Sequence, residues 1–222
     1  VDFSGEIKKI ESSEGTFKAK TIIIATGAVP RELGVPGEKE LVGRGVGYCA
    51  TCDGMFYRNK TVMVIGGGNT AAADAMTLSR ICEKVILVHR RDSLRATKVY
   101  HKQLEETPNI EFYWNTTVSE FLYDKKLTGA KLHNVKTGED TEIPVDGAFI
   151  SIGRKPSSEL FEGILAMDKA GYIIADESTR TNIPGVFAIG DVRTKALRQV
   201  VTAVADGATA SHYIEEYLTH QM

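Results

Sequence analysis

The chain has 222 residues, 42% of them hydrophobic and 25% charged, with a formal net charge of −2. That is enough for one large domain or two small ones of ordinary soluble composition, and the near-neutral balance gives no hint of a nucleic-acid partner. No apolar run approaches the roughly 20 residues of a membrane span, the first ten residues carry no signal-peptide pattern, and three cysteines are too few for a secreted disulfide scaffold, so a reducing cytoplasm is the default.

Residues 5–27, GEIKKIESSEGTFKAKTIIIATG, read as two or three strands joined by turns such as SSEG. The run TIIIATGAV is short and β-branched, so it predicts a buried strand. The first residue is Val1 and the opening reads as the middle of a domain, which predicts a fragment or cleaved form that begins inside a fold. GYCATCDG (47–54) follows, with Cys49 and Cys52 three apart. Val62–Ile65 is an apolar run, then come Gly66, Gly67 and Gly68, then the alanine-rich helical stretch NTAAADAMTLSRI and a second strand pattern, KVILVHRR. Strand, glycine turn, helix and strand make one βαβ unit. Residues 110–150 read as an antiparallel run with turns at Lys125–Lys126 and Thr137–Gly138. IPGVFAIGDV (183–192) is a buried strand ending at Gly190–Asp191, and residues 198–218 form a last helix with Val201, Val204 and Ala208 on one face. The fold class is α/β.

One internal echo stands out. TIIIATGAVPRE (21–32) and GAFISIGRKPSS (147–158) share a plan of apolar strand, Gly, then Pro three residues on, with Gly27 and Gly153, and Pro30 and Pro156, each 126 apart. Each can close a nucleotide-binding domain. The second has a glycine loop upstream at Gly66. The first has none on this chain, so a G-x-G-x-x-G is expected on residues not present here.

VMVIGGGNTAAADA is G-x-G-x-x-A, with Gly66, Gly68 and Ala71 in the diagnostic places. The first glycine allows the tight turn, the second lets backbone approach a pyrophosphate, and the small third residue lets helix and strand pack closely. The plain alternative is a tight turn without ligand. An NAD site usually has an acidic residue at the end of the next strand. Here that end carries His89, Arg90 and Arg91, with Arg95 following. Guanidinium groups pair with a 2′-phosphate, which favours NADPH over a merely solvated basic turn.

For the cysteine pair, structural zinc needs four ligands; Cys82 stands alone in a helical pattern, where it reads as a core residue, and no histidine pair has suitable spacing. No metal is expected. A staple across so short a loop stabilises little. Two buried free thiols remain open, and a dithiol–disulfide redox pair fits best. Asp53 directly follows and can move a proton, or simply serve the turn before Gly54. A hydride donor beside a redox dithiol implies a flavin between them. The Gly190–Asp191 strand end can hold a polyol hydroxyl, and the helix starting near Arg198 can set its positive end against reduced flavin; the plain alternative is a helix cap.

Taken together, CATCDG, GGGNTA, HRRDSLRA and IPGVFAIGDV followed by RQVVTAVADGA resemble the low-molecular-weight thioredoxin reductases over essentially the whole chain. The resemblance implies two Rossmann-like three-layer dinucleotide-binding domains: a discontinuous FAD domain at 1–33 and 155–222, incomplete at its N-terminus, and an NADPH domain at 34–154 carrying the dithiol. It implies NADPH and FAD as cofactors, thioredoxin as partner, a homodimer, and a rotation of one domain against the other, for which Leu33–Gly37 and Gly153–Ser157 are candidate hinges. By the same resemblance Cys49 and Cys52 are the redox pair, with Cys52 nearer the flavin, and Asp53 is the acid. Gly66, Gly68, Asn69, Thr70 and Ala71 match the NADPH loop, with Arg90, Arg91 and Arg95 clamping the phosphate. Thr26, Gly27, Asp191 and Arg198, Gln199 and Val200 match flavin contacts. The missing first glycine loop predicts weak FAD retention by this chain. The alternatives are an NADP(H)-binding fragment without turnover and a reductase of a peroxiredoxin system.

Overall fold

The protein is described as a computed structural model over residues 1–220. The elements in chain order are β1 (Lys8–Ser12), β2 (Gly15–Ala19), β3 (Ile22–Ile24), β4 (Ala28–Pro30), β5 (Val46–Gly47), α1 (Ala50–Asp53), β6 (Thr61–Ile65), α2 (Asn69–Ser79), β7 (Lys84–His89) and α3 (Lys98–Glu105). They continue with β8 (Ile110–Trp114), β9 (Thr116–Tyr123), β10 (Leu127–Asn134), β11 (Asp140–Pro144), β12 (Gly147–Ile150), β13 (Arg154–Pro156), β14 (Val186–Ala188) and α4 (Val200–Thr219). The chain divides into two compact units, Val1–Val29 with the residues from Arg154 onward, and Pro30–Gly153.

The central unit has three layers. Its middle is a five-stranded parallel sheet, β5-β12-β6-β7-β8. Strands buried on both faces need apolar residues at every position, and TVMVI and KVILVH supply them. Val62, Val64, Val85 and Leu87 face α2 and α3, packing on Ala71, Ala72, Ala75, Leu78 and Leu104. Met63, Ile65, Ile86 and Val88 point the other way, onto Val118, Phe121, Leu127 and Leu132 of the antiparallel sheet β11-β10-β9. The period-2 alternation of side chains thus feeds two separate cores from one sheet.

The discontinuous unit is thinner. β1 and β2 form a hairpin, β3 and β14 pair in parallel, and Phe3, Ile24, Phe161, Ile173, Val186 and Ala188 form its core. One expectation is corrected here. β3 is not a fully buried strand: Ile24 is buried but Ile23 is 43% exposed, because a two-stranded sheet covers one face. The Val201–Val204–Ala208 face of α4 is the exposed one, with Val201 at 72% and Val204 at 67%. The buried side of the helix carries Asp206 and Ala210 instead.

The internal echo has a structural counterpart. β3 and β12 each run into a left-handed glycine, Gly27 at φ 73° and Gly153 at φ 101°. Each glycine leads into a short strand ending in proline, and those two strands, β4 and β13, pair as a ribbon.

Candidate redox and dinucleotide sites

The central unit brings Cys49 and Cys52 into a disulfide, with the sulfurs 2.03 Å apart. Cys49 caps the single turn of α1, its Sγ accepting from the Cys52 amide at 3.2 Å. Cys52 is exposed and Cys49 half-buried. Asp53 is half-buried and its carboxylate makes no hydrogen bond or ion pair among the described residues. Cys82 is free and buried, and burial pushes its thiol up to about 11, which suits a packing role.

In the glycine loop between β6 and α2, three neighbouring glycines meet three different demands. Gly66 sits at φ 152°, and a Cβ there would run into the Ser151 carbonyl and come within 2.9 Å of Ala71 Cβ. A Cβ on Gly67 would enter the His89 ring. A Cβ on Gly68 would meet nothing within 4 Å, so its small size serves no packing need in the protein itself. Behind the loop, Ser151 Oγ donates to Asp74 at 2.5 Å, tying α2 to the end of β12; burial pushes the Asp74 carboxyl up, against the pull of that bond.

The basic stretch is tied to the same loop. Arg95 and Ala96 amides both donate to the Gly67 carbonyl, at 2.7 and 3.1 Å. Asn69 Oδ1 accepts from the Thr97 amide at 2.8 Å, so its side chain fastens the two segments. Arg90, Arg91 and Arg95 are all exposed and none makes an ion pair or side-chain hydrogen bond among the described residues. His89 differs from them. It is 5% exposed, lies beneath Gly67 and edge-on to Trp114, and its Nε2 is buried without a partner. Burial holds it below the usual histidine range, aided by the charges of Arg95, Arg91 and Arg90. Thr70, in the first turn of α2, is exposed, whereas Ala71 is buried against β6.

In the other unit, Gly190 (φ 69°) and Asp191 lie in a short 3-10 turn, Gly190–Val192, just after β14. Asp191 Oδ1 is a buried oxygen without a partner, left ready for a donor that the chain does not supply. Arg198 is engaged within its own unit: its Nε donates to the Asp191 carbonyl at 3.3 Å and its guanidinium lies 3.9 Å from the Tyr172 ring centroid. The Gln199 amide donates to Thr202 Oγ1 at 3.0 Å, and Val200 is 81% exposed. Thr26 Oγ1 donates to the Ser157 carbonyl at 2.5 Å.

Two buried carboxylates escaped sequence reading. Asp206 receives the Gly190 amide at 2.8 Å, Arg193 Nε and Nη2 at 2.9 Å each, and Lys195 Nζ at 2.7 Å. Its signal was available: a lone carboxylate in the apolar run VVTAVADGATA. Glu38, 1% exposed, is wrapped by backbone amides and one hydroxyl, which leave no trace in a sequence.

These features can be set beside known proteins. The profile of the family described as pyridine nucleotide-disulphide oxidoreductase matches residues 2–207. The chain is 47% identical to a thioredoxin reductase of Peptoclostridium acidaminophilum, covering 98% of this chain and 71% of that one. It is also 47% identical to a thioredoxin reductase of Listeria monocytogenes, covering 96% and 67% respectively. The crystal structure of thioredoxin reductase from Streptococcus pyogenes superposes with a TM-score of 0.91 at 42% identity, over 97% of this chain and 71% of that one. At this identity and coverage the chain belongs to the pyridine nucleotide-disulphide oxidoreductase family, among its thioredoxin reductases.

Proposed function

We propose that the chain carries the NADPH-dependent thioredoxin-disulfide reductase activity that its relatives are named for. The observation that carries this reading is a disulfide in the same compact unit as a glycine loop whose Gly68 faces open space and whose neighbouring arginines are unpaired. The loop amides at the start of α2 would hold a pyrophosphate, and Arg90, Arg91 and Arg95 a 2′-phosphate. His89, buried under Gly67, acts on this site from below by shaping the loop. Asp191, with its unpartnered oxygen, fits a ribityl hydroxyl of FAD, and Thr26, Gly27, Gly190 and Arg198–Val200 would be its further contacts. When bound, the nucleotides supply hydride from NADPH and passage of the electron pair through FAD to sulfur.

The residues of the chain then do the thiol chemistry. Two electrons and two protons open Cys49–Cys52 to a dithiol. The Cys52 amide favours charge on Cys49 Sγ, and Asp53 holds or delivers a proton beside the pair. One thiolate attacks the disulfide of thioredoxin, the partner's thiolate leaves, and the second cysteine closes the pair again. The reading places the protein in the cytoplasm as a homodimer.

Reduction of thioredoxin by NADPH, measured with added FAD, tests the whole reading; binding of NADPH without any turnover would leave only a nucleotide-binding module. Two variants test its parts. Replacing Arg90 and Arg91 together by Ala removes two charge-assisted contacts of about 1.5–3 kcal/mol each. The expected result is a rise of roughly a hundredfold or more in the NADPH Kd, with NADH binding unchanged. At the glycine loop, Gly66→Ala is expected to destabilise by about 2 kcal/mol or more, from strained backbone and collision with Ser151. Gly68→Ala is expected to melt with the parent and lose NADPH affinity, since its methyl enters the ligand's space. Equal NADPH affinity in Gly68→Ala and the parent would remove the pyrophosphate from that slot.

A further inference from the structure

We propose that Glu38 is a positioning residue for the redox pair, a buried clasp that fastens the chain entering the central unit to the residue immediately before Cys49. The Glu38 carboxylate is almost wholly enclosed. Oε1 accepts from the Leu33 amide at 3.0 Å and from Tyr48 Oη at 2.9 Å, while Oε2 accepts from the Gly34 amide at 2.7 Å and the Val35 amide at 3.4 Å. One carboxylate therefore gathers three consecutive backbone amides and the side chain adjoining Cys49. Burial of the Tyr48 phenol, with the bond to Glu38, pushes its ionisation well above the usual tyrosine range, so it remains a donor.

The same segment is held on its other flank. The Pro36 carbonyl accepts from the Phe121 amide at 3.0 Å, and Gly37, at φ 83°, lies so close that a Cβ would stand 2.8 Å from the Phe121 carbonyl oxygen. Leu33, Val35 and Tyr48 all pack on the core of the antiparallel side. Leu33–Gly37 is thus tied into the body of this unit by these bonds. What the clasp fixes is the path of the main chain into Cys49. Two thiols held at disulfide spacing have a high effective concentration, and that concentration sets how strongly the pair closes against glutathione.

The proposal rests on the redox reading of Cys49–Cys52, and the test separates the two. The full chain, Glu38→Gln and Tyr48→Phe are equilibrated with glutathione buffers and the closed fraction of the pair is measured. The expected result is a fall of about fivefold in the closing equilibrium constant for both variants. Tyr48→Phe keeps the Glu38 charge, so a matching fall there assigns the effect to the clasp and not to electrostatics on the thiolates. Amide hydrogen exchange is read alongside: Leu33 and Gly34 lose protection in Glu38→Gln and keep it in Tyr48→Phe, while Val62–Ile65 stay protected in both. Equilibrium constants within twofold of the parent in both variants overturn the clasp and leave the redox pair standing. A parent chain whose cysteines never close overturns the redox reading and the clasp with it.

Discussion

Serine at either Cys49 or Cys52 is expected to abolish thioredoxin reduction by NADPH, by at least about a thousandfold, with NADPH affinity unchanged. A single remaining thiol cannot close a disulfide, so the electron pair has no covalent carrier, and a serine hydroxyl is un-ionised at neutral pH and a poor substitute nucleophile. The two variants should differ in one respect. Cys52 is exposed and Cys49 is half-buried. The thiol of the pair left in Cys49→Ser should therefore be alkylated faster than the one left in Cys52→Ser, with the buried Cys82 thiol common to both. NADPH-dependent turnover with added FAD and the rate of iodoacetamide labelling check both parts. Turnover within tenfold of the parent in either serine variant would show that electrons reach thioredoxin by another route.

The parts legible in the sequence are those where one residue type has one physical use. The run of apolar residues in TVMVI and KVILVH can only be strands buried on both faces, and Gly66 with Ala71 marks a strand–helix turn that admits no Cβ. The arginines after β7 are exposed and make no ion pair among the described residues, and their reading as a phosphate clamp came from their place at the end of that strand, not from composition. Three things were hidden. His89, read with the arginines of HRR as a cofactor contact, has its ring packed under Gly67, a placement hidden in the sequence because every position of β7 from Val85 on is buried, whichever face it points to. The face of α4 carrying Val201, Val204 and Ala208 follows helical spacing and is nonetheless the exposed one, because Asp206 is needed on the other side. Glu38 was invisible as an anchor because its partners are backbone amides and one hydroxyl brought together only by the fold, whereas Asp206 stood out as a lone carboxylate in an apolar run and only its partners were hidden.

Replacing Asp206 by Ala is expected to destabilise the chain by about 3–5 kcal/mol, since it strands two buried cations. The Arg193 side chain is 1% exposed and that of Lys195 7%, and both converge on this one carboxylate. Burial by itself would raise the Asp206 carboxyl. The hydrogen bonds from Arg193, Lys195 and the Gly190 amide outweigh it and hold the group at about 2. A folded-state value below the ordinary 3.8 means the stabilisation is complete above that pH and is lost as pH falls from about 4 towards 2. Thermal melts of parent and variant should therefore differ widely at pH 7 and converge near pH 2; equal gaps at both would detach the effect from this carboxylate. The consequence for function follows from the fourth bond. Asp206 holds the Gly190 amide, and Gly190 carries Asp191, whose buried oxygen waits for a donor. An Asp206→Asn chain that folds should thus bind FAD more weakly than the parent, because one amide oxygen cannot accept from Gly190, Arg193 and Lys195 together.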